Sequence, residues 1–318
     1  MTYTPEPAAA SRRAPWPLVG GVVLLAVVAA GLGFVLLNQR APAASASPSA
    51  SQPSPSPTLN QELLSNRFTV LVLGLDSSDA RRARGAGINS DTIMIASMNA
   101  DQSEMTLVSV PRDTVDIPMP DGTTWTQKIN AIYSTQGVEE LRGALEELLQ
   151  IEIDGYVQID MGDLITMVDA VGGVRVRPHA PLADAHLDLD IPAGRQLLDG
   201  RTAQGYVRTR VDNDFQRAAR QQEVIQQLVR RLISPDNQID IPALLDSLDS
   251  FETDLPLEDM PTYVELAQRA QDAEVITQVL NPDGGFITFA GDAGDGRGYI
   301  LEPDIEAMRA FAAEHLVD

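Results

Sequence analysis

Among its 318 residues the chain has no cysteine, so disulfides, thiolate nucleophiles and cysteine-ligated zinc are excluded together. Histidine is scarce as well. His179, His186 and His315 lie in a proline-rich loop and at the tail, too scattered for a histidine triad or a histidine metal cage. Lysine occurs once, as Lys128, against 22 arginines. A chain so biased toward the planar guanidinium that still carries one lysine points to a position wanting a compact ammonium charge. Positive charge is short overall, with 23 Lys and Arg facing 45 Asp and Glu, for a formal net charge of -22. Nucleic-acid backbones are bound through broad basic fields, and this composition excludes such a partner. Charge is also nearly missing from the first sixty residues, where Glu6, Arg12, Arg13 and Arg40 are all there is.

That uncharged region divides in two. From Trp16 to Leu37 it is almost wholly apolar, about the ~20 residues a helix needs to cross a ~30 Å hydrocarbon core. It exceeds the roughly 7–15 apolar residues of a signal-peptide core. The reading is an uncleaved transmembrane helix over residues 16–37. Arg12 and Arg13 in front of it predict a cytoplasmic tail over 1–15 and a cell-membrane protein, single-pass, with everything beyond the span extracytoplasmic. Residues 38–59 follow as a tether, because Ala41 to Thr58 are Ala, Ser and Pro apart from Gln52 and Thr58, a composition that buries no core. The body, residues 60–318, is long enough for one large domain.

Within the body, strands and helices alternate, which predicts an α/β domain with a mixed central β-sheet covered by helices. Phe68 to Leu75 is a continuous apolar run, as in a buried strand, with Asp76 at its carboxyl end. Asn89, Ser90 and Asp91 precede a second strand over Thr92 to Met98. A third, Met105 to Val110, stops at Pro111, Arg112 and Asp113. Each aspartate could simply cap a turn, but three charged clusters at strand ends together suggest a site, since ligands of α/β sheets gather there. Further strands are expected at Gly155 to Asp160, Val174 to Val176 and Val275 to Leu280. Helices are expected from Lys128 to Tyr133 onward and at Val138 to Leu149, Gly162 to Val171, Pro242 to Leu248, Tyr263 to Ala270 and Ile305 to His315. The glycines and aspartates of residues 284–298 read as scaffold loops.

The stretch Tyr206 to Gln222 collects Arg208, Arg210, Arg217 and Arg220 inside this acidic chain. Tyr206, Arg208 and Arg210 fall at period two, which predicts a strand carrying them on one face. After a turn at Asp212, Asn213 and Asp214, the residues Arg217, Gln221, Val224 and Leu228 follow the core-facing stripe of a helix, with Asp214 as its N-cap. An inward arginine with no carboxylate on its stripe needs a partner, and a phosphate or pyrophosphate would supply one through bidentate, charge-assisted hydrogen bonds. A surface arginine cluster paired with nearby carboxylates would use the same residues.

Taken in order, GLD at 74–76, NSDT at 89–92, SVPRD at 109–113, KINAIY at 128–133, DAVGGV at 169–174, YVRTR at 206–210 and RAARQ at 217–221 resemble the LytR-CpsA-Psr family. The resemblance covers about Phe68 to Leu232. It implies a membrane-anchored, Mg²⁺-dependent phosphotransferase that moves a glycopolymer such as teichoic acid from a polyprenyl-pyrophosphate carrier to peptidoglycan, at a muramic acid hydroxyl. By the same resemblance Asp76 and Asp91 match magnesium ligands. Arg112, Lys128, Arg208, Arg210, Arg217, Arg220 and Gln221 match pyrophosphate-binding positions, with Asp91, Arg112, Arg208 and Arg210 at the chemistry. The lipid tail would lie in an apolar tunnel between sheet and helices. A Mg²⁺-dependent lipid pyrophosphatase, or a non-catalytic polyprenyl-phosphate-binding regulatory protein, would use the same residues.

Overall fold

The computed structural model describes residues 59–75, 90–233, 252–269 and 273–318, with Asp240 and Ala243. Its elements in chain order are α1 (Gln61–Ser65), β1 (Phe68–Leu75), β2 (Ser90–Met98), β3 (Glu104–Ser109), β4 (Ile117–Pro118), β5 (Thr124–Trp125), α2 (Asn130–Gln136), α3 (Val138–Leu149), β6 (Gly155–Asp160) and α4 (Met161–Ala170). There follow β7 (Val174–Val176), β8 (Leu182–Asp184), β9 (Leu189–Ile191), β10 (Gln196–Leu198), α5 (Gly200–Arg208), α6 (Asp214–Ile233), β11 (Glu252–Thr253), α7 (Met260–Arg269), β12 (Glu274–Val279), β13 (Ile287–Asp292), β14 (Tyr299–Pro303) and α8 (Ile305–His315). The stretches 16–37 and 242–248, apart from Ala243, lie outside the described residues, as does Asp76. Among the described residues no helix is long and apolar enough to cross a membrane.

Six strands form the central sheet in the order β11-β6-β1-β2-β3-β12. β1 pairs antiparallel with β2 and parallel with β6, and β3 pairs parallel with β12, so the sheet is mixed. The apolar run of β1 is explained by helices on both faces. Leu71 and Leu73 pack with Leu141, Leu145 and Leu148 of α3 and Met308 of α8, whereas Phe68, Val70 and Val72 pack with Tyr263 and Leu266 of α7. Leu141, Ala144, Leu145 and Leu148 are wholly buried at helical spacing, and truncating one such leucine to alanine costs about 2–5 kcal/mol. A third core joins α4, α5, α6 and β7. Gln222 of α6 ties that layer to the sheet by donating to Ser109 Oγ at 2.9 Å and to the Gln278 carbonyl at 3.1 Å.

Two local expectations change. The strand expected through Tyr206, Arg208 and Arg210 is instead the end of helix α5, because Gly200, Ala203, Tyr206 and Val207 form a buried helical stripe and Asp199 caps it, accepting from Thr202 N at 2.8 Å. Five alternating residues were too few to outweigh that stripe. Gly200 is required where α5 meets α4, since a Cβ there would lie 2.2 Å from the Ile165 carbonyl oxygen. The cap of α6 is Asn213, whose Oδ1 accepts from Gln216 N at 2.8 Å, and Asp214 is the first helical residue with its carboxylate left for other partners.

Candidate active site

β1 and β3 end, and β2 begins, at one edge of the sheet, because β2 runs antiparallel to both. A bulge between Gly74 and Leu75 sets Leu75 opposite Ser90, and an extra residue of this kind re-aims a strand rim. Asp91 projects from this rim. Its Oδ1 accepts from Arg112 Nη1 at 2.7 Å, and its Oδ2 lies 3.8 Å from Arg210 Nη2. Arg112 follows β3 and turns its Nε to Asp214 Oδ2 at 3.0 Å. Beside it Asp113 Oδ1 holds Lys128 Nζ at 2.7 Å, so the chain's one ammonium sits against the site's third carboxylate.

Asp214, placed in advance as no more than a helix cap, is the hub. Besides Arg112 it meets Arg210 Nε at 3.5 Å and Arg217 Nη2 at 3.5 Å. The last pair lies at i, i+3, so the stripe does carry a carboxylate neighbour for Arg217. Burial alone would raise the Asp214 carboxyl, but Arg217, Arg112 and Arg210 together hold it below the usual carboxylate range. Burial likewise works against Arg112, and Asp91, Asp214 and Asp113 outweigh it, keeping that guanidinium above its ordinary value.

Arg217 is different. It is 5% exposed, burial pushes its guanidinium down to about 10 despite Asp214, and its Nε has no hydrogen-bond partner among the described residues. A buried charged donor left short of acceptors is costly, and Arg217 lies in the wall of open space. Arg208, Arg210, Arg217, Asp91 and Gln221 line one cavity. A second is lined by Arg112, Asp113, Asp214 and Arg217 together with Tyr299 and Leu301 of β14. A third, narrow and apolar, runs between the sheet and α4, α5 and α6, past Val72, Leu164, Met167, Val224 and Leu228. Gln221 lines all three.

The structure thus gathers Asp91, Arg112, Arg208, Arg210, Arg217 and Gln221 around connected space, and Lys128 joins them through Asp113. Arg208 and Arg210 reach one cavity without sharing a strand, because α5 ends at Arg208 and Thr209 is extended. Arg220 stands apart. Its Nε donates to the Tyr206 carbonyl at 2.9 Å, and its other nitrogens donate to the Thr209 carbonyl and to Asp212, so its donors fasten the end of α5 instead of facing the cavity. Two lining residues went unread in the sequence. Asp214 was hidden because Asn213, one position earlier, is an equally good cap residue. Tyr299 lies just past the stretch read as scaffold, and no local pattern marks it, since its place follows from pairing far along the chain.

The LytR_cpsA_psr family model matches residues 33–302. The probable cell wall biosynthesis protein LcpB of Corynebacterium glutamicum is 41% identical over 170 residues, which is 51% of this chain and 40% of that protein. The polyisoprenyl-teichoic acid–peptidoglycan teichoic acid transferase TagU of Enterococcus faecalis is 35% identical over 208 residues, 63% of this chain and 66% of that one. The crystal structure of Bacillus subtilis TagV aligns with a TM-score of 0.63 at 25% identity, covering 79% of this chain and 98% of that chain.

Proposed function

Because the chain belongs to the LytR_cpsA_psr family, we propose that it is a phosphotransferase that moves a glycopolymer from a polyprenyl-pyrophosphate carrier to a muramic acid hydroxyl of peptidoglycan. In this reading residues 16–37 anchor it in the membrane and the body works outside, between a lipid-borne donor and a wall acceptor. The observation that carries the reading is Arg217: a buried guanidinium whose Nε has no partner among the described residues, on the wall of a cationic cavity that shares Val207 and Gln221 with an apolar slot. A ligand that is doubly anionic at its head and isoprenoid behind it suits both compartments at once.

The pyrophosphate lies among Arg208, Arg210 and Arg217, and the polyprenyl tail in the slot past Val72, Leu164 and Leu228. Asp113, positioned by Lys128, receives the proton of the acceptor hydroxyl. The hydroxyl oxygen bonds to the sugar-side phosphorus, and the bond from that phosphorus to the bridging oxygen breaks. The electron pair departs on polyprenyl phosphate, whose growing charge the arginines stabilise, and the glycan is left on a phosphodiester. Among the described residues no group of three His, Asp or Glu could hold a metal ion. Asp91 with substrate phosphate oxygens is still a donor set that suits Mg²⁺, which is commonly bound through one or two carboxylates plus phosphates. Asp91 and Asp76 would hold such an ion, and it would supply charge neutralisation at the phosphates.

Mass analysis after incubation with lipid-linked glycan and peptidoglycan oligomers tests the reading. A phosphodiester conjugate plus polyprenyl phosphate is the expected result. Hydrolysed donor with no conjugate makes the protein a lipid pyrophosphatase, and unchanged donor makes it a binding protein.

A further inference from the structure

The cavity lined by Asp113 and Tyr299 has no occupant in that scheme. We infer that it seats the acceptor glycan, with Tyr299 as the ring on which a sugar of the acceptor stacks. The chemistry at Asp113 rests on the transfer reading above; the subsite itself is argued from its lining.

Tyr299 is 52% exposed, one of few large apolar side chains on this surface, and it lines the same cavity as Asp113. Its strand is fixed to that carboxylate's own backbone. Leu301 N donates to the Asp113 carbonyl at 3.0 Å, and Val115 N donates to the Leu301 carbonyl at 3.0 Å. At the base of the hairpin loop Arg297 Nη1 donates to the Thr126 carbonyl at 2.9 Å and meets Asp116. The ring and the candidate proton acceptor are therefore held on one rigid frame.

The lining also has carbohydrate character. A sugar ring offers an apolar C–H face and a rim of hydroxyl and amide groups. Here an exposed aromatic face, the apolar Phe215 and Leu301, and the polar Asn213 and Asp113 surround one space, which matches both halves of that surface. The two other cavities are accounted for by pyrophosphate and lipid, and neither is lined by Asp113. Of the three cavities, the one that contains this carboxylate is thus the natural place for a hydroxyl that must lose its proton.

The test uses the full chain in detergent, an undecorated N-acetylglucosamine–N-acetylmuramic acid oligosaccharide and a polyprenyl-pyrophosphate donor, with Tyr299→Ala and Tyr299→Phe. Oligosaccharide binding, followed by ligand-observed NMR without turnover, should weaken about tenfold in Tyr299→Ala, the upper range of one aromatic contact, and recover in Tyr299→Phe. The acceptor KM should rise in parallel while donor affinity holds. Unchanged oligosaccharide binding in Tyr299→Ala overturns the subsite even if transfer proceeds, and a loss of donor affinity instead overturns it by placing the donor's glycan there. Ring-dependent oligosaccharide binding by a chain that transfers nothing leaves the subsite standing and removes the transfer reading.

Discussion

Helix α6 buries two arginines three residues apart, and the regions on either side of it treat them in opposite ways. Arg220, 6% exposed, points toward the end of α5 and has all three nitrogens bonded, to two carbonyls and Asp212. Arg217, 5% exposed, lines the cavities, shares Asp214 with two other arginines and has an Nε with no partner among the described residues. Equal burial therefore says little by itself. What separates a fastening from a candidate site is how many of the donors already have acceptors, because an unsatisfied buried donor is a cost that a ligand can remove.

The largest effect expected from breaking this contrast is at Arg217→Ala. Transfer should fall by about 10²–10³, the usual loss for one preorganised charge-stabilising donor, while the melting temperature holds or rises. A large drop in melting temperature with normal donor binding would make Arg217 another fastening. Arg220→Ala should do the reverse. Denaturant unfolding should show a loss of about 1–3 kcal/mol from orphaned carbonyls, and activity at low temperature should suffer far less than in Arg217→Ala.

A smaller effect is expected at Asp214→Asn. A phosphate no longer has to displace a carboxylate from three arginines, so inorganic pyrophosphate should bind about tenfold tighter by calorimetry, roughly one charge-assisted contact. The unliganded domain should be less stable near neutral pH. Because the folded Asp214 carboxyl is depressed, its contribution is complete above its ordinary value and is lost as pH falls through the folded one. Parent and variant should accordingly converge in acid, and a constant gap would show that Asp214 acts by packing alone.

The smallest effect is a null. Arg217 titrates near 10 when folded and higher when unfolded, so it is charged in both states at lower pH, and stability gained from neutralising it would appear only as pH rises through 10. Any stabilisation in Arg217→Met should consequently be equal between about pH 6 and 9. A gain that varies across that window would assign the burden to another group.

These contrasts also explain what the sequence could disclose. The stripe of Arg217, Gln221, Val224 and Leu228 was legible because it repeats over three turns, and all four are buried as its period requires. β1 and α3 announced themselves through long, regular patterns. The segment 206–210 misled because five residues satisfy two periods, and the deciding evidence, the Asp199 cap and the contact of Gly200 with α4, lies outside them. Asp214 was legible only as a cap, since its ionic role depends on Arg112 arriving from β3. Tyr299 was not legible at all. Its place depends on Leu301 bridging to Thr114, a pairing between distant parts of the chain that no local window contains.

That bridge bears on the order in which the molecule can be completed. Residues 299–303 emerge from the ribosome well after β1, β2 and β3, yet they hold the Asp113 backbone in place, and Met308 and Ala312 of α8 complete the core beneath β1 and α3. A nascent chain that has already formed β1, β2 and β3 carries Asp91 and Arg112 without the frame that sets Asp113. The placing of Asp113 is therefore withheld until the β13–β14 hairpin has docked.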